Sequence, residues 1–383
     1  MDFQLNEEQR IIKDTVRKFL EKEIAPLVRE YEWERKLITK EIIKKLEPFG
    51  FTRALVPEDM GGIGLDLVSY CIMVEELGRV WGSLRTLVTT SVLAASIIAG
   101  NGTVAQKEKF LPPLMAMDEV ACFALTEPNV GSDARAVEAK AARAGDFYVL
   151  DGTKTLITGG SMADVVVVYA KVDSTEKDKG ITAFLVQKDE SPFETRDIPK
   201  MGMHASPLSE LVFIDCKVPM ENRLGEEGEG LKIALSGLNT GRINVTFGVV
   251  GLGQAALEAS IRYAKERIQF GRPIGSFQLV QEMIVDMAQK VDAARLLGYR
   301  AADLANRGVD CRREASFAKL YATEAMVDVI NKAIQVHGGY GYTQEFPVER
   351  YYRDVRHLTM AEGTSEMQKL ILGRDILGIS AFV

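Results

Sequence analysis

The sequence predicts an α+β protein with an N-terminal helical domain, a middle antiparallel β domain and a C-terminal four-helix bundle. Two observations carry this prediction. Apolar residues recur at helical spacing in the first and last thirds of the chain, whereas the middle third contains short apolar runs of strand length. The pattern changes near residues 119 and 228, so we expect domains at 1–118, 119–228 and 229–383. A chain of 383 residues is long enough for about two or three domains with sizeable cores.

The first third is predicted to be helical. Five apolar residues at helical spacing, with charged residues between them, mark its first helix: Ile11, Ile12, Val16, Phe19 and Leu20. A proline and three glycines over residues 57–64 predict a loop. A further helix is expected to run through residues 70–80.

The middle third is predicted to form strands. The strand-length runs cover residues 148–158, 165–170, 182–186 and 211–214. The first run is interpreted as two strands around a turn at Asp151-Gly152, because Asp-Gly favours tight hairpins. No helix-length pattern separates the runs, so we expect antiparallel pairing.

The last third contains long amphipathic stretches with short connections, which predict a helical bundle. They cover residues 247–268, 276–306, 311–337 and 364–378. Residues 251–256, Gly-Leu-Gly-Gln-Ala-Ala, also fit the GxGxxA pattern of dinucleotide sites, but that pattern requires a preceding strand. Because a helix is predicted on both sides, we interpret these small residues as a helix–helix contact.

Composition excludes several classes of function. Apolar residues make up 46% of the chain and charged residues 26%, and the net charge is −7. A protein that follows a nucleic-acid backbone needs a basic surface, so we expect no nucleic-acid partner. The acidic first eight residues predict no signal peptide and a cytoplasmic location. We also expect no transmembrane segment, because no apolar run approaches the roughly 18 residues that a membrane span needs.

The cysteines and histidines predict no metal site. The cysteines at 71, 122, 216 and 311 are far apart and form no CxxC pair, so they are interpreted as reduced thiols. The histidines at 204, 337 and 357 do not have metal-ligand spacing.

Glu362 is the principal candidate for chemistry. It lies in the run Ala361-Glu362-Gly363-Thr364-Ser365-Glu366-Met367-Gln368. A carboxylate beside a glycine and two hydroxyl residues can act as a general base where the backbone approaches a ligand closely. Taken alone, the run also fits an ordinary surface turn.

Four motifs in order resemble those of the acyl-CoA dehydrogenase family. They are residues 126–133 (TEPNVGSD), 267–271 (RIQFG), 335–341 (QVHGGYG) and the run at 361–368. The resemblance extends from the first helix to the last. It implies bound FAD, a CoA thioester substrate, an electron-transfer flavoprotein as partner and a homotetramer.

The family resemblance also implies roles for individual residues. Glu362 is implied as the base that removes the α-proton of the thioester. The family's alternative position for this base corresponds to Gly241, which carries no carboxylate. Contacts to FAD are implied for Phe123, Leu125, Thr126, Ser132, Leu156, Thr158, Arg267, Gln269, Phe270, Gln278, Gln335, Gly338, Gly339, Thr364 and Glu366. Contacts to substrate are implied for Arg85, Thr89, Ser132, Asn239, Arg242, Ala361 and Gly363.

Several positions depart from the family pattern or separate its branches. Leu156 stands where tryptophan is usual, and Glu366 where glutamine is common. Arg85 resembles the arginine that holds the distal carboxylate in glutaryl-CoA dehydrogenases, and a guanidinium suits a carboxylate. Ala361 is small where tyrosine accompanies decarboxylation, so the resemblance favours desaturation of a glutaryl-CoA-type substrate without loss of CO2.

Other functions stay open at the level of sequence. Ala361 suits an alicyclic carboxyl-CoA substrate equally well, and some relatives act on acyl groups held by carrier proteins. A flavin-dependent thioester lyase or oxidase, or a non-catalytic relative, would use the same scaffold. The carboxylate at Glu362 argues against redox-silent relatives, which often lack the base.

Overall fold

The computed structural model describes residues 4–176 and 179–381 and begins with a helical domain. Its helices are α1 (Glu7–Phe19), a π-helical segment (Leu20–Ile24), α2 (Ala25–Glu34), α3 (Lys40–Lys44), α4 (Leu67–Val80), α5 (Gly82–Asn101) and α6 (Val104–Met115). The side chain of Asn6 caps α1 by accepting a hydrogen bond from the Gln9 amide at 2.8 Å. The two predicted helices are present, the first as α1 with the π-helical segment that follows and the second as α4, and residues 57–64 form the expected loop around a short 3-10 turn.

Helix α5 corrects one expectation. By length and composition it could cross a membrane, although no apolar run of that length was expected. Within the described residues it is the single helix that meets this criterion, and 83% of its apolar window is buried inside the protein. Such burial is typical of the central helix of a protein core.

The middle domain contains the predicted sheet. Its strands are β1 (Ala121–Ala124), β2 (Lys140–Ala144), β3 (Phe147–Thr158), β4 (Val165–Glu176), β5 (Lys179–Gln187), β6 (Glu194–Asp197), β7 (Leu208–Pro219) and β8 (Arg223–Leu224). Their order in the described sheet is β6-β7-β3-β2-β4-β5-β8, with β1 beside β4. Most pairs are antiparallel, but β4 runs parallel to both β1 and β2. The chain reverses once in the β2–β3 hairpin and again between β3 and β4, so β4 runs in the direction of β2.

The predicted turn at Asp151-Gly152 is wrong. Strand β3 continues through both residues, and the register against β7 shifts between Leu150 and Gly152. Gly152 has a φ of 147°, and a methyl group placed there would lie 2.7 Å from Cβ of Ala139. Glycine therefore allows a bulge in β3 and the close approach of Ala139 at this position. No hairpin turn forms here.

The C-terminal domain consists of long helices. They are α7 (Gly230–Glu266), α8 (Gln278–Asn306), α9 (Arg312–His337), α10 (Val348–Val355) and α11 (Ser365–Leu377), with a two-stranded hairpin of β9 (Ile268–Gln269) and β10 (Arg272–Pro273) before α8. Helix α7 begins at Gly230, earlier than the predicted 247. Its glycines weaken the sequence signal for a helix but allow close packing, since a methyl at Gly251 would lie 2.0 Å from the carbonyl oxygen of Glu75 in α4. The predicted helix–helix contact at residues 251–256 is confirmed.

Candidate functional site

Glu362 lies in a tight backbone turn between the 3-10 segment Arg356–Thr359 and helix α11. Its φ is 54°, in the left-handed region, and Gly363 follows with a φ of 89°. The hydroxyl of Thr364 caps α11 by accepting a hydrogen bond from the Met367 amide at 3.3 Å. A non-glycine residue in this conformation is uncommon, so the surrounding structure must hold it.

Two buried side chains hold the backbone on either side of Glu362. The ammonium group of Lys319, on α9, donates to the carbonyl oxygens of Thr359 and Gly363 at 3.1 and 2.9 Å. The amide of Gln368 donates to the carbonyl oxygens of Glu362 and Gly363, both at 3.1 Å. Lys319 and Gln368 have no exposed surface. These contacts fix the orientation from which the Glu362 side chain leaves the turn.

The carboxylate of Glu362 contacts helix α7 at Gly241. A methyl group placed on Gly241 would lie 2.8 Å from Oε2 and 3.0 Å from Cδ of Glu362. The absence of a side chain at Gly241 therefore makes room for the carboxylate. The next residue along α7, Arg242, is buried, and its Nη1 lies 3.4 Å from Oδ1 of Asn239.

Glu362 is half-buried, and three positively charged side chains lie near its carboxylate. Burial raises the pKa of Glu362 above its ordinary value, and the charges of Arg242, Lys319 and Arg85 oppose that rise. The same burial lowers the pKa of Lys319 to about 8, while Glu324 and Glu362 oppose the change. A desolvated carboxylate of this kind is a stronger base than an exposed one.

Arg85, near the start of α5, is a buried cation without a hydrogen-bonded carboxylate. It is 3% exposed, and neither Nε nor Nη2 has a hydrogen-bond partner among the described residues. Burial lowers the pKa of Arg85 to about 10, and the fields of Tyr70 and Glu362 oppose this change. Thr89, one turn later, donates its hydroxyl to the Arg85 carbonyl oxygen at 3.0 Å. The predicted substrate residue Arg85 thus shares the electrostatic environment of Glu362.

The first set of predicted flavin residues lies at the ends of β1 and β3. Phe123 and Leu125 are half-buried against the core of the middle domain. The Thr126 carbonyl oxygen accepts from the Thr155 amide at 2.9 Å, which ties this segment to β3. Near the end of β3, Leu156 has a φ of 57° and is 56% exposed.

Other predicted residues of this first set differ in their exposure. Thr158 ends β3 and is half-buried, whereas Ser132 is exposed in the loop after β1. Outside this set, the predicted substrate residues Ala361 and Gly363 are half-buried and exposed, respectively, and the predicted flavin residue Glu366 is exposed in the first turn of α11.

A buried ion pair joins the 126–133 motif to β3, and the sequence did not predict it. Lys154 and Glu127 are nearly fully buried and pair at 2.6 Å. Glu127 also accepts from the amides of Glu138 and Ala139, at 2.5 and 3.0 Å, and Lys154 donates to the Leu125 carbonyl oxygen. A lysine within a predicted strand was the only signal for this pair.

The second set of predicted flavin residues surrounds a cavity of about 560 Å³ between the end of α7, the β9–β10 hairpin and the end of α9. Arg267, Gln269, Gly338 and Gly339 line it. Methyl groups placed on Gly338 or Gly339 would contact nothing within 4 Å, so both backbones face open space.

Three further residues of this set do not line the cavity. Phe270, at the tip of the hairpin, is 93% exposed. Gln278 and Gln335 are exposed at the start of α8 and near the end of α9. The first set of predicted flavin residues thus lies on strands of the middle domain, and the second set lies on the helices and hairpin of the C-terminal domain.

His337 lines the same cavity and was not predicted. It is 2% exposed, its Nδ1 lies 2.7 Å from the Ala333 carbonyl oxygen, and its Nε2 has no partner among the described residues. Its ring stacks on Tyr263 with a centroid separation of 4.4 Å. An unsatisfied polar atom beside two open glycine backbones is suited to binding a polar ligand group.

Comparisons with known proteins agree over the whole chain. Models of the acyl-CoA dehydrogenase N-terminal, middle and C-terminal domains match residues 6–118, 122–216 and 228–377. The chain is 40% identical over 378 residues to the short-chain specific acyl-CoA dehydrogenase of Clostridium acetobutylicum, covering 98% of this chain and 100% of that protein.

Two solved structures are similarly close. A chain of the structure described as the electron transferring flavoprotein of Acidaminococcus fermentans is 42% identical with a TM-score of 0.96, covering 98% of this chain and 100% of that one. A glutaryl-coenzyme A dehydrogenase in complex with glutaryl-CoA is 38% identical with a TM-score of 0.95, covering 99% of this chain and 97% of that one.

Proposed function

Because this chain belongs to the acyl-CoA dehydrogenase family, FAD-containing oxidoreductases that act on the CH–CH group, we propose that it desaturates a CoA thioester carrying a distal carboxylate. Glu362 removes the α-proton in this proposal. When bound, FAD supplies the acceptor for the β-hydrogen and its electron pair. The observation that carries the choice of substrate is the buried, unsatisfied guanidinium of Arg85.

Glu362 is suited to act as the base. Desolvation raises the pKa of Glu362, which makes it a stronger base. The charges of three nearby cations favour the ionised carboxylate and oppose this rise. Gly241 leaves room for the carboxylate, and Lys319 and Gln368 fix the turn that presents it. After the transfer, the proton resides on a carboxyl oxygen of Glu362.

The residues present fit FAD. The open backbones of Gly338 and Gly339 line a cavity that can take a polar, anionic part of the cofactor, and the unsatisfied Nε2 of His337 can accept a hydrogen bond from a hydroxyl or N–H group there. Leu156 and Thr158, at the end of β3, would hold the ring system. Because the two sets lie on different domains, the cavity of one chain would hold part of a cofactor whose ring system lies in a second copy. This sharing supports an oligomer, and the homotetramer is part of this proposal.

The environment of Arg85 favours a substrate that carries a distal carboxylate. A buried cation with unused donors is unfavourable unless a ligand supplies the acceptors, and a carboxylate is the anion that a guanidinium pairs with most closely. The solved glutaryl-CoA dehydrogenase complex, a relative of this chain, makes glutaryl-CoA the first substrate to test. The small side chain of Ala361 before the base supports desaturation without loss of CO2.

An electron-transfer flavoprotein is the proposed redox partner. The similar chain described with the electron transferring flavoprotein of Acidaminococcus fermentans supports this proposal. The exposed Leu156 near the end of β3 stands where the family usually has tryptophan, so contact with the partner at this position would be aliphatic and not aromatic.

A thioester panel tests the proposal. FAD-loaded protein is mixed anaerobically with glutaryl-CoA, pentanoyl-CoA and cyclohexanecarboxyl-CoA, and flavin absorbance and products are followed. We expect glutaryl-CoA to bleach the flavin most rapidly and to give the five-carbon unsaturated dicarboxylic thioester. Faster bleaching by the alicyclic or unsubstituted thioester would reject the carboxylate, and a four-carbon product with CO2 would reject simple desaturation.

A further inference from the structure

One face of α7 connects the proposed base to Arg85. Gly241, Asn244 and Gly248 follow at spacings of three and four residues and therefore lie on the same side of the helix. Gly241 faces the Glu362 carboxylate, and a methyl placed on Gly248 would lie 2.6 Å from Nε of Arg85. At a rise of about 1.5 Å per residue, Asn244 is about 4.5 Å along the helix from Gly241 and about 6 Å from Gly248.

Asn244 is a buried amide without partners. It is 3% exposed, and neither its Oδ1 nor its Nδ2 forms a hydrogen bond among the described residues. A buried amide is normally satisfied, because burial without hydrogen bonds is unfavourable. Asn244 on α7 and Arg85 on α5 thus both carry polar atoms without hydrogen bonds. Arg85 contacts α7 at Gly248, one turn after Asn244.

We propose that Asn244 is a second recognition residue for the distal carboxylate of the substrate. Its Nδ2 donates to one carboxylate oxygen, and the guanidinium of Arg85 donates to the other. This inference rests on the proposed function, which assigns the carboxylate to Arg85, and it adds a specificity-determining residue that lies between Arg85 and the base.

The position of Asn244 also sets the length and type of the acyl group. In the proposed binding mode the α-carbon lies at Glu362, and a carboxylate three carbons beyond it extends along this face of α7 towards Asn244 and Arg85. An alicyclic ring or a plain alkyl chain would place carbon atoms against the amide and leave it unsatisfied. Sites built to hydrogen-bond a substrate group discriminate strongly against analogues that lack it.

Equilibrium binding separates this role from catalysis. In the FAD-loaded Glu362→Gln protein, which is expected to bind substrate without turning it over, dissociation constants are measured by calorimetry for glutaryl-CoA and pentanoyl-CoA. Adding Asn244→Leu is expected to weaken glutaryl-CoA binding by about tenfold to a hundredfold, the range for a hydrogen bond to a charged group. Pentanoyl-CoA binding should stay within about threefold or improve, since leucine adds apolar contact.

Two further variants keep the test decisive. Asn244→Asp, similar in shape but anionic, should weaken glutaryl-CoA more than leucine does, because like charges repel. Asn244→Ala adds no bulk and should reproduce the selective loss if the leucine variant does not fold.

The outcomes distinguish the two proposals. If Arg85→Leu abolishes the preference for glutaryl-CoA while the Asn244 variants keep it, the role of Asn244 is wrong and the carboxylate substrate stands. If Asn244→Leu weakens both thioesters equally, its role is structural and the inference also fails. If the parent protein does not prefer glutaryl-CoA and Arg85→Leu changes neither affinity, the proposed substrate itself is wrong.

Discussion

The carboxylate of Glu362 lies against the backbone of Gly241, so closely that a methyl group on that glycine would be 2.8 Å from Oε2. This contact joins the C-terminal turn to the long helix α7. It also explains why α7 carries glycine at a position inside a helix, where glycine is unfavourable by about 1 kcal/mol relative to alanine.

Gly241→Ala tests the contact. The added methyl meets the mobile end of a side chain, so the protein should accommodate it by displacing the carboxylate, with little change in melting temperature. A displacement of about 1 Å can cost about a hundredfold in rate. We expect the rate of anaerobic flavin reduction to fall by tenfold to a hundredfold, and an unchanged rate would contradict the assigned position of the base. Gly373→Ala, in open space on α11, is the matched control.

Lys319→Met tests the cation that holds the turn. Methionine fills similar volume but removes the bonds to Thr359 and Gly363 and the charge that favours ionised Glu362. The pKa of Glu362 should rise, so activity should be lost at a higher pH on the acid side of the kcat/KM profile. Lys332→Met, which removes a lysine of α9 that pairs with Asp328, should leave the acid side of the profile unchanged. A uniform fall in activity with no displacement of the acid limb would show that Lys319 has only a structural role.

Glu362→Gln should stabilise the protein in a pH-dependent manner. Burial raises the folded-state pKa of Glu362 above its ordinary value, so the folded state holds the proton more tightly than the unfolded chain. Stability from the protonated acid is fully present below the unfolded pKa and is lost as pH rises through the folded pKa.

Because glutamine resembles the protonated acid, the advantage of Glu362→Gln in melting temperature should increase as pH rises through that range. Thermal unfolding of FAD-loaded proteins between pH 5 and pH 8 checks this. An advantage that is absent or does not depend on pH would mean that the carboxylate is not desolvated.

Glu127→Gln should destabilise the middle domain. It leaves the ammonium of Lys154 buried without its carboxylate, which typically costs about 3–5 kcal/mol. Denaturant unfolding should show this loss, and the double variant Glu127→Gln/Lys154→Met should recover most of it. If the single variant loses less than about 1 kcal/mol, the pair does not hold the 126–133 segment as described.

Sequence patterns predicted the order of domains, most helices and the turn at Glu362, because these depend on local periodicity and on short motifs. They did not predict the parallel pairing of β4 or the bulge at Gly152. Both depend on which strands become neighbours, and Asp-Gly favours a turn only where the sheet does not continue through it.

The sequence also did not predict the buried polar side chains around the site. Lys319 stands among the buried alanines Ala315, Ala318 and Ala322 on α9, and a cation on an apolar face is the signal that could have revealed it. Asn244 offered a similar signal between apolar neighbours. Neither pattern predicts which groups the side chain contacts, because those contacts depend on how α7 and α9 pack against segments distant in sequence.

Removal of the α-proton of an acyl-CoA by Glu362 is the central step of the proposed reaction. Its most direct test is anaerobic stopped-flow mixing of FAD-loaded wild type and Glu362→Gln with glutaryl-CoA, with flavin absorbance as the signal. We predict rapid bleaching by wild type and, at equal FAD content, a loss of at least about a hundredfold in the variant, within the range for removal of a general base. Bleaching of Glu362→Gln at the wild-type rate would contradict the account.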